Sequence, residues 1–258
     1  MQKDTHITIE VQTNDETRLG EAEKMKSLGL IEARRGDNLV LSFLDSHTEL
    51  RRSMAKTGNG YRVNFSTIDR RLGAGNLSTK QPLPKAMGPS NHTVVDATAG
   101  FCGDAMLLAL MGFQVTAIER SPIVCVLLRD GMRRAKEDAD LWRAVDNRLK
   151  IIEGDSVELL HKYCGADVVY VDPMFPHKKK TSPLPPGHIQ LLGKIVGNDE
   201  DADNLFEAAS LSRPKRVVVK RPRYAPHMRE NPVAVHEGKQ VRYEVYAGKQ
   251  STSSVHGL

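Results

Sequence analysis

The sequence predicts an α/β protein with a mostly parallel, Rossmann-like sheet, a C-terminal antiparallel hairpin and a small N-terminal α+β domain rich in strands. From about residue 93 onward, short Val- and Ile-rich runs alternate with helical patterns, which is typical of a parallel sheet covered on both faces. Near the C-terminus, two alternating segments flank a short polar turn, which indicates a hairpin. Residues 1–80 contain short alternating segments instead and therefore indicate a separate unit.

The N-terminal domain is expected to span residues 1–80, including a connector to the next domain. Strands are predicted in THITIEVQT, LGLIEARRGDNLVLSFLD and GYRVNFST, and a helix is predicted from about Arg18 to Leu28. Glycines and prolines between residues 73 and 89 mark the connector, because both residue types interrupt regular structure.

The α/β domain is expected to span residues 81–250, and the polar tail 251–258 to be disordered. Five strands are predicted in HTVVDATAG, QVTAIE, RLKIIEGD, DVVYVDP and KRVVVKRP. The intervening helices are predicted in DAMLLALMG, SPIVCVLLRDGMRRAKEDA, VELLHKY and DEDADNLFEAASLS. Ser121 is a good N-cap, and Pro122 suits the first turn of the helix that follows it. The segment NPVAVHEGKQVRYEVYAG predicts a hairpin that turns at residues 237–240.

The composition narrows the class of protein. Lys and Arg outnumber Asp and Glu by 37 to 32, and the pI near 9.1 weakly favours an anionic partner, although a basic solvated surface explains the charge equally well. The three cysteines form no C-x-x-C pattern, which argues against a disulfide framework or a structural zinc site. With no apolar segment long enough to span a bilayer, we expect a cytoplasmic protein that binds neither metal nor membrane.

Acidic residues follow the first predicted strands at positions where cofactors bind. Asp96 ends the first strand, and Gly100, Gly103 and Asp104 lie between it and the next helix. In open parallel sheets, ligands bind beyond the carboxyl ends of the strands, and glycine there lets the backbone approach the ligand. Because the two aspartates would repel a pyrophosphate, a dinucleotide is disfavoured.

S-adenosylmethionine fits these acids better, because it carries a sulfonium, an ammonium and a ribose diol but no phosphate. Glu119 ends the second strand, where a carboxylate commonly binds both ribose hydroxyls. Asp155 and Ser156 follow the third strand and could reach the adenine edge. Each acid alone is explained as a helix cap or a solvated strand end, but acids after four successive strands together indicate a site.

The fourth strand ends in VVYVDPMFPHKKK, which supplies the predicted catalytic residues. Pro173 restricts the preceding backbone and holds Asp172 at the strand tip. A carboxylate that accepts the N–H bonds of an exocyclic amine favours in-line methyl transfer, and such positioning is the larger part of catalysis. Phe175 would stack on the base, a contact of about 1 to 3 kcal/mol. The alternative is a proline-stabilised turn with a partly buried Phe.

The motifs DATAG, IER, VVYVDPMFPHKKK and KRVVVKRPRYAP together resemble the small-subunit ribosomal RNA methyltransferase family called RsmJ. The resemblance covers most of the chain and implies a class I methyltransferase domain that modifies the 2-amino group of one guanine in 16S rRNA. The cofactor contacts that it implies fall on Gly103, Asp104, Glu119, Arg120, Asp155, Ser156 and Asp172.

Two segments depart from the family pattern. Family members usually read G-L-G-R-D where this chain reads G-F-C-G-D. Cys102 is thus expected to add a side chain where backbone approaches the cofactor, and Gly103 to contribute main chain only. In the connector, Asp69 and Asn76 stand where the family has a histidine and, nearby, an arginine, which weakens the expectation of RNA contacts there.

Basic residues near the predicted catalytic turn are candidates for binding RNA phosphates. They are His177, Lys178, Lys179 and Lys180 after the fourth strand, and Lys220, Arg221 and Arg223 at the end of the fifth. The expected partner is small-subunit rRNA or the ribosomal subunit. Two alternatives stay open: an amino methyltransferase acting on another nucleic-acid base, and a non-catalytic RNA-binding assembly factor that retains the fold.

Overall fold

The computed structural model describes residues 4–5, 7–28, 33–34, 39–71, 73, 75–173 and 202–248. The predictions for Phe175, His177 and Lys178–Lys180, and for the tail, lie outside these ranges.

The N-terminal part contains two small sheets and one long helix. Strand β1 (Asp4–Thr5) pairs with β3 (Ala33–Arg34), and β2 (Ile7–Gln12) runs parallel to β4 (Leu39–Leu44), which pairs antiparallel with β5 (Thr48–Arg52). Helix α1 (Glu16–Ser27) begins after Asp15, whose carboxylate accepts the backbone N–H groups of Thr17 and Arg18. The predicted N-terminal helix is therefore present, and so are the predicted strands except for the one in GYRVNFST.

The segment GYRVNFST was wrongly predicted to form a strand. It makes a single bridge between Leu50 and Tyr61 and then a 3₁₀ turn at Phe65–Thr67. The side chain of Asn64 accepts the backbone N–H of Ser66, and such a local bond competes with strand pairing. A second 3₁₀ turn follows at Gly75–Leu77.

The main sheet has the order β11-β12-β10-β9-β6-β7-β8. Its parallel strands are β6 (Thr93–Asp96), β7 (Gln114–Glu119), β8 (Leu149–Glu153), β9 (Val168–Val171) and β10 (Arg216–Pro222). The hairpin of β11 (Ala234–Glu237) and β12 (Val241–Ala247) extends the sheet antiparallel to β10. The predicted α/β fold class is confirmed.

Six further helices lie in the described ranges. They are α2 (Pro82–Met87), α3 (Gly103–Leu110), α4 (Pro122–Ala135), α5 (Ala139–Val145), α6 (Ser156–Leu159), continued by a 3₁₀ turn at Leu160–Tyr163, and α7 (Ala202–Leu211). Ser121 caps α4 as predicted, with its hydroxyl accepting the Val124 N–H. The helix predicted to continue to Ala139 ends at Ala135, because Asp138 caps a separate helix.

Side chains alternate along the central strands between two hydrophobic clusters. Val168 and Tyr170 of β9 pack on one face of the sheet, and Val169 and Val171 pack on the other. The first cluster continues into the N-terminal part, including Phe43 and Leu50. The N-terminal part and the α/β part therefore share one core, and the boundary near residue 80 stays a prediction.

Helices of the described ranges are all too short or too polar to cross a bilayer. Those same ranges bring together no group of three or more His, Cys, Asp or Glu side chains suited to a metal ion.

Candidate active site

A cleft of about 580 Å³ lies at the carboxyl edge of the parallel strands. This volume is ordinary for a small-molecule site. The predicted residues that line it are Asp96, Gly100, Gly103, Asp104, Glu119, Arg120, Asp155, Ser156, Asp172, Pro173, Lys220 and Arg221. Because parallel strands end at one edge, acids that are 76 residues apart in sequence, Asp96 and Asp172, line the same cavity.

The turn between β6 and α3 forms one wall of the cleft. Gly100 has φ 51° and Cys102 has φ 56°, and the Cys102 N–H donates to the Ala99 carbonyl at 2.7 Å. The side chain of Cys102 is fully buried in the core and does not line the cleft. The expectation that it would intrude on the cofactor is therefore wrong. A Cβ built on Gly103 would meet no atom within 4 Å, so this position is open.

Glu119 is fixed at the end of β7 by two backbone groups. Its carboxylate accepts the N–H of Gly100 at 2.8 Å and that of Ser121 at 2.7 Å. It is 5% exposed and lines the cleft beside the glycine turn. A carboxylate held in this way fits the ribose diol of a nucleoside cofactor.

Asp155 and Ser156 lie where β8 leads into α6. Asp155 accepts the Val157 N–H at 2.8 Å, and the buried Ser156 hydroxyl donates to the Ala97 carbonyl at 2.7 Å. The first bond caps α6, and the second joins the start of α6 to the residue after β6. The Ser156 hydroxyl thus donates its proton to protein, and its oxygen can still accept a hydrogen bond from a cofactor.

Asp96 is the most deeply buried acid of the site. Burial raises its pKa to about 8, and the negative charges of Asp104 and Asp172 add to the effect. Its Oδ1 accepts the Thr98 N–H at 3.0 Å. At neutral pH Asp96 is thus largely protonated, and its carboxyl group can donate as well as accept.

Lys220 bridges two carboxylates inside the cleft. Its Nζ lies 2.9 Å from Asp104 Oδ2 and 2.9 Å from Asp172 Oδ2, and the Tyr170 hydroxyl donates to the same Asp104 oxygen at 2.6 Å. Burial would lower the pKa of Lys220, but Asp172 and Asp104 outweigh it and hold that pKa well above its usual value. Lys220 was expected on an RNA-facing surface, and the structure instead buries three quarters of its side chain between these acids.

The backbone at the tip of β9 is also fixed. The Asp172 N–H donates to the Thr98 hydroxyl at 2.6 Å, and the following Pro173 is buried. The Asp172 side chain is 37% exposed at the cleft. The predicted catalytic acid therefore has a held backbone and an accessible carboxylate.

Two other basic residues differ in their surroundings. Arg221 is 6% exposed and donates to the Met228 sulfur, so it lies apart from the predicted solvent-facing basic cluster. Arg221 nevertheless contributes atoms to the lining of the cleft. Arg223 is exposed and paired with Glu237, and Arg120 is exposed at the cleft.

Several cleft residues were missed from the sequence. Tyr61, Val63, Asn64, Phe65 and Ile68 form a wall from the N-terminal part, and Tyr61 packs on Phe101 with ring centroids 4.4 Å apart. The alternation of apolar residues at 61–65 indicated a buried face, but it did not indicate that this face would pack against the cleft. Tyr224, half exposed at the cleft, was also missed.

The fold and the acid-rich cleft together define a class I S-adenosylmethionine-dependent methyltransferase. Five carboxyl groups line the cleft among the described residues, with Glu119 set for a diol, and this donor set suits a cationic nucleoside without phosphates. The residues present therefore fit S-adenosylmethionine.

Comparison with known proteins agrees with this class. A family model described as "Putative SAM-dependent methyltransferase" matches residues 23–248. Ribosomal RNA small subunit methyltransferase J of Coxiella burnetii is 36% identical, over 95% of this chain and 99% of its own. The protein of that name from Pseudoalteromonas atlantica is 38% identical, over 81% and 84%. The crystal structure of a SAM-dependent methyltransferase from Neisseria gonorrhoeae, 27% identical, superposes with a TM-score of 0.68 over 97% of this chain and all of that one. The chain belongs to this family of SAM-dependent methyltransferases and, within it, to the ribosomal RNA small subunit methyltransferase J group.

Proposed function

We propose that this protein transfers the methyl group of S-adenosylmethionine to the exocyclic 2-amino group of one guanine in small-subunit (16S) rRNA. Relatives of nearly full length carry the name of a small-subunit rRNA methyltransferase. We infer the guanine 2-amino group as the target because the motif around Asp172 resembles that of the family. The rRNA substrate, free or in the ribosomal subunit, implies that the protein acts in the cytoplasm.

The observation that carries the proposal is the position of Asp172 at a cofactor-sized cleft. Its backbone N–H bonds to Thr98 while its carboxylate stays partly exposed. The cofactor supplies an electrophilic methyl group on its sulfonium when it is bound. Asp172 then accepts an N–H of the target amine and orients the nitrogen lone pair, and the proton leaves after attack. Phe175 stacks on the base in this proposal.

The remaining predicted residues divide into two roles. Those assigned to the cofactor are Asp96, Gly100, Gly103, Asp104, Glu119, Arg120, Asp155, Ser156 and Asp172. The substrate contacts are Phe175, His177, Lys178 and Arg223. Arg221 is withdrawn as a phosphate contact because its side chain is buried against Met228.

The alternative of a non-catalytic assembly factor loses its main support. It was based on Cys102 and Gly103 in the cofactor turn, and the Cys102 side chain is packed in the core. The other alternative, an amino methyltransferase for another base, differs from the proposed enzyme only in its target. An unbiased map of modified nucleotides therefore distinguishes these two functions.

The test is a map of methylated nucleotides in rRNA from cells that lack the gene. Complementation with wild type should restore one N2-methylguanine in 16S rRNA, and Asp172→Ala should lower its yield by at least about 10²-fold, because the amine is no longer oriented. Asp140→Ala is the matched control, since Asp140 is an exposed acid of α5 that does not line the cleft. Maps that agree in all strains would refute the rRNA substrate.

A further inference from the structure

Four ionisable side chains from four elements meet at the deep end of the cleft. Asp96 ends β6, Asp104 lies in the first turn of α3, Asp172 follows β9, and Lys220 lies in β10. Three acids and one cation cannot all be charged there without strong repulsion. The arrangement of these four side chains therefore depends on the position of the Lys220 ammonium, which lies at equal distances from Asp104 and Asp172.

We propose that Lys220 is a positioning residue: its ammonium holds Asp104 and Asp172 ionised and in place, and so presents the Asp172 carboxylate to the target amine. This inference rests on the proposed function for the role of Asp172 in methyl transfer. The bridge itself acts on the cofactor cleft whichever base is methylated. Lys220 touches neither reacting atom in this role and acts through the two acids.

The contacts give Lys220 a fixed geometry. Asp104 is held from two sides, by Lys220 and by the Tyr170 hydroxyl. Because a carboxylate is planar, an ammonium at 2.9 Å from Asp172 Oδ2 also restricts the direction of Oδ1. The backbone bond from Asp172 to Thr98 removes the other main freedom of the strand tip. The backbone bond thus fixes the main chain of Asp172, and Lys220 fixes the direction of its carboxylate.

The charges around the pair favour the same role. Among the described residues, the titratable groups that face Asp172 and Asp104 are Asp96 from β6, Tyr170 from β9, Lys220 from β10 and Tyr243 from β12. Burial would raise the pKa of Asp104, yet Lys220 and then Tyr170 bring it below its ordinary value. Without the ammonium, burial and mutual repulsion meet less opposition, so the pKa values of these acids rise.

The same two strands offer a matched control at their other ends. Lys215 Nζ lies 2.6 Å from Asp167 Oδ1, so it also joins β10 to β9 through a Lys–Asp pair, but it lies away from the cleft. Lys220→Met and Lys215→Met thus remove the same charge from the same pair of strands. Only the first change alters the carboxylates of the cleft.

The experiment measures S-adenosylmethionine binding by calorimetry and methyl transfer to rRNA, both between about pH 6 and 9. We expect Lys220→Met to lower kcat about 10²-fold at pH 7 and to move the acid limb of the profile upward by about 1 to 3 pH units. Its affinity for S-adenosylmethionine should approach that of wild type only at the alkaline end, where the acids ionise again. Lys215→Met should match wild type in both profiles.

A purely structural role would lower activity by one factor at every pH, so coinciding normalised pH profiles for Lys220→Met and wild type would overturn the inference. If Lys220→Met fails to fold, Lys220→Gln, which removes the charge but keeps a polar group, is measured in its place. The binding titration needs no RNA. Absence of rRNA methylation by wild type therefore refutes the proposed function, while the pH dependence of cofactor binding still decides the role of Lys220.

Discussion

Cys102 occupies a glycine position of the cofactor turn without altering the shape of the cleft. It adopts a left-handed backbone conformation, which costs a non-glycine residue about 1 to 2 kcal/mol. Its buried side chain offsets part of that cost by packing in the core behind the cofactor turn. The turn therefore keeps the shape that glycine would give it.

Cys102→Gly tests this view of the turn. The substitution should change the affinity for S-adenosylmethionine less than about twofold, because the thiol faces the core and not the cleft. Stability should change by no more than about 1 kcal/mol, since relief of the left-handed strain opposes lost packing and added chain entropy. Calorimetry and urea unfolding measure the two quantities. A tenfold change in affinity would mean that the thiol contacts the cofactor.

Single residues were predictable where their position in the chain fixed their environment. Glu119 and Asp172 follow buried strands, so the sequence located both at the cleft edge. The burial of Lys220 and Arg221 was not predicted, because a basic pair at a strand end does not reveal how far each side chain is enclosed. Cys102 was misjudged because sequence carries no direct signal for the direction of a Cβ in a tight turn.

At the scale of elements, α4 packs so closely on the segment 61–68 that glycine is needed between them. A Cβ on Gly131 would lie 2.8 Å from Val63 Cγ1 and 3.2 Å from the Val63 carbonyl oxygen. Val63 also lines the cleft. The helix therefore sets the position of one wall of the cofactor site through a contact that only glycine permits.

Gly131→Ala should lower both stability and cofactor affinity. Overpacking costs about 1 to 3 kcal/mol and outweighs the gain in helix propensity of about 1 kcal/mol. Gly20→Ala in α1 is the matched control, because a Cβ there meets no atom within 4 Å and should stabilise the protein by about 0.5 to 1 kcal/mol. Urea unfolding and calorimetry report both effects. Equal stability of the two variants would show that Val63 moves away without cost.

The elements of the α/β part were predictable because apolar runs of strand length alternated with helical periods. The segment 61–68 was not, because its alternation fits a strand and a buried coil equally well. Apart from the bridge to Leu50, its packing partners Phe101 and Gly131 lie more than 30 residues away in the chain. Long-range packing of this kind leaves no local pattern.

At the scale of the whole molecule, Asp167 ties together the starts of three central strands. Its Oδ2 accepts the N–H groups of His92 and Thr93 and the Thr93 hydroxyl at 2.7 to 3.0 Å, and its Oδ1 pairs with Lys215. Burial would raise the pKa of Asp167, but the bonds from Lys215, His92 and Thr93 outweigh burial and hold it well below its ordinary value. The folded state thus favours the ionised form.

Asp167→Asn should reduce the free energy of unfolding by about 1 to 3 kcal/mol at neutral pH, because hydrogen bonds to a charged group are lost. A depressed folded-state pKa adds stability that is present above the unfolded pKa and disappears as the pH falls. The difference between wild type and Asp167→Asn should therefore be full above about pH 5 and shrink below about pH 4. Urea unfolding across this range measures it. A constant difference would contradict the linkage.

The wall of residues 61–68 makes the N-terminal part an inseparable portion of the catalytic body. Exchange of the first eighty residues between two relatives would carry five residues of the nucleoside chamber across with them, namely Tyr61, Val63, Asn64, Phe65 and Ile68. Such a chimera would therefore carry part of its donor's cofactor cleft. In this architecture, residues 61–68 cannot change without changing the cavity for the methyl donor.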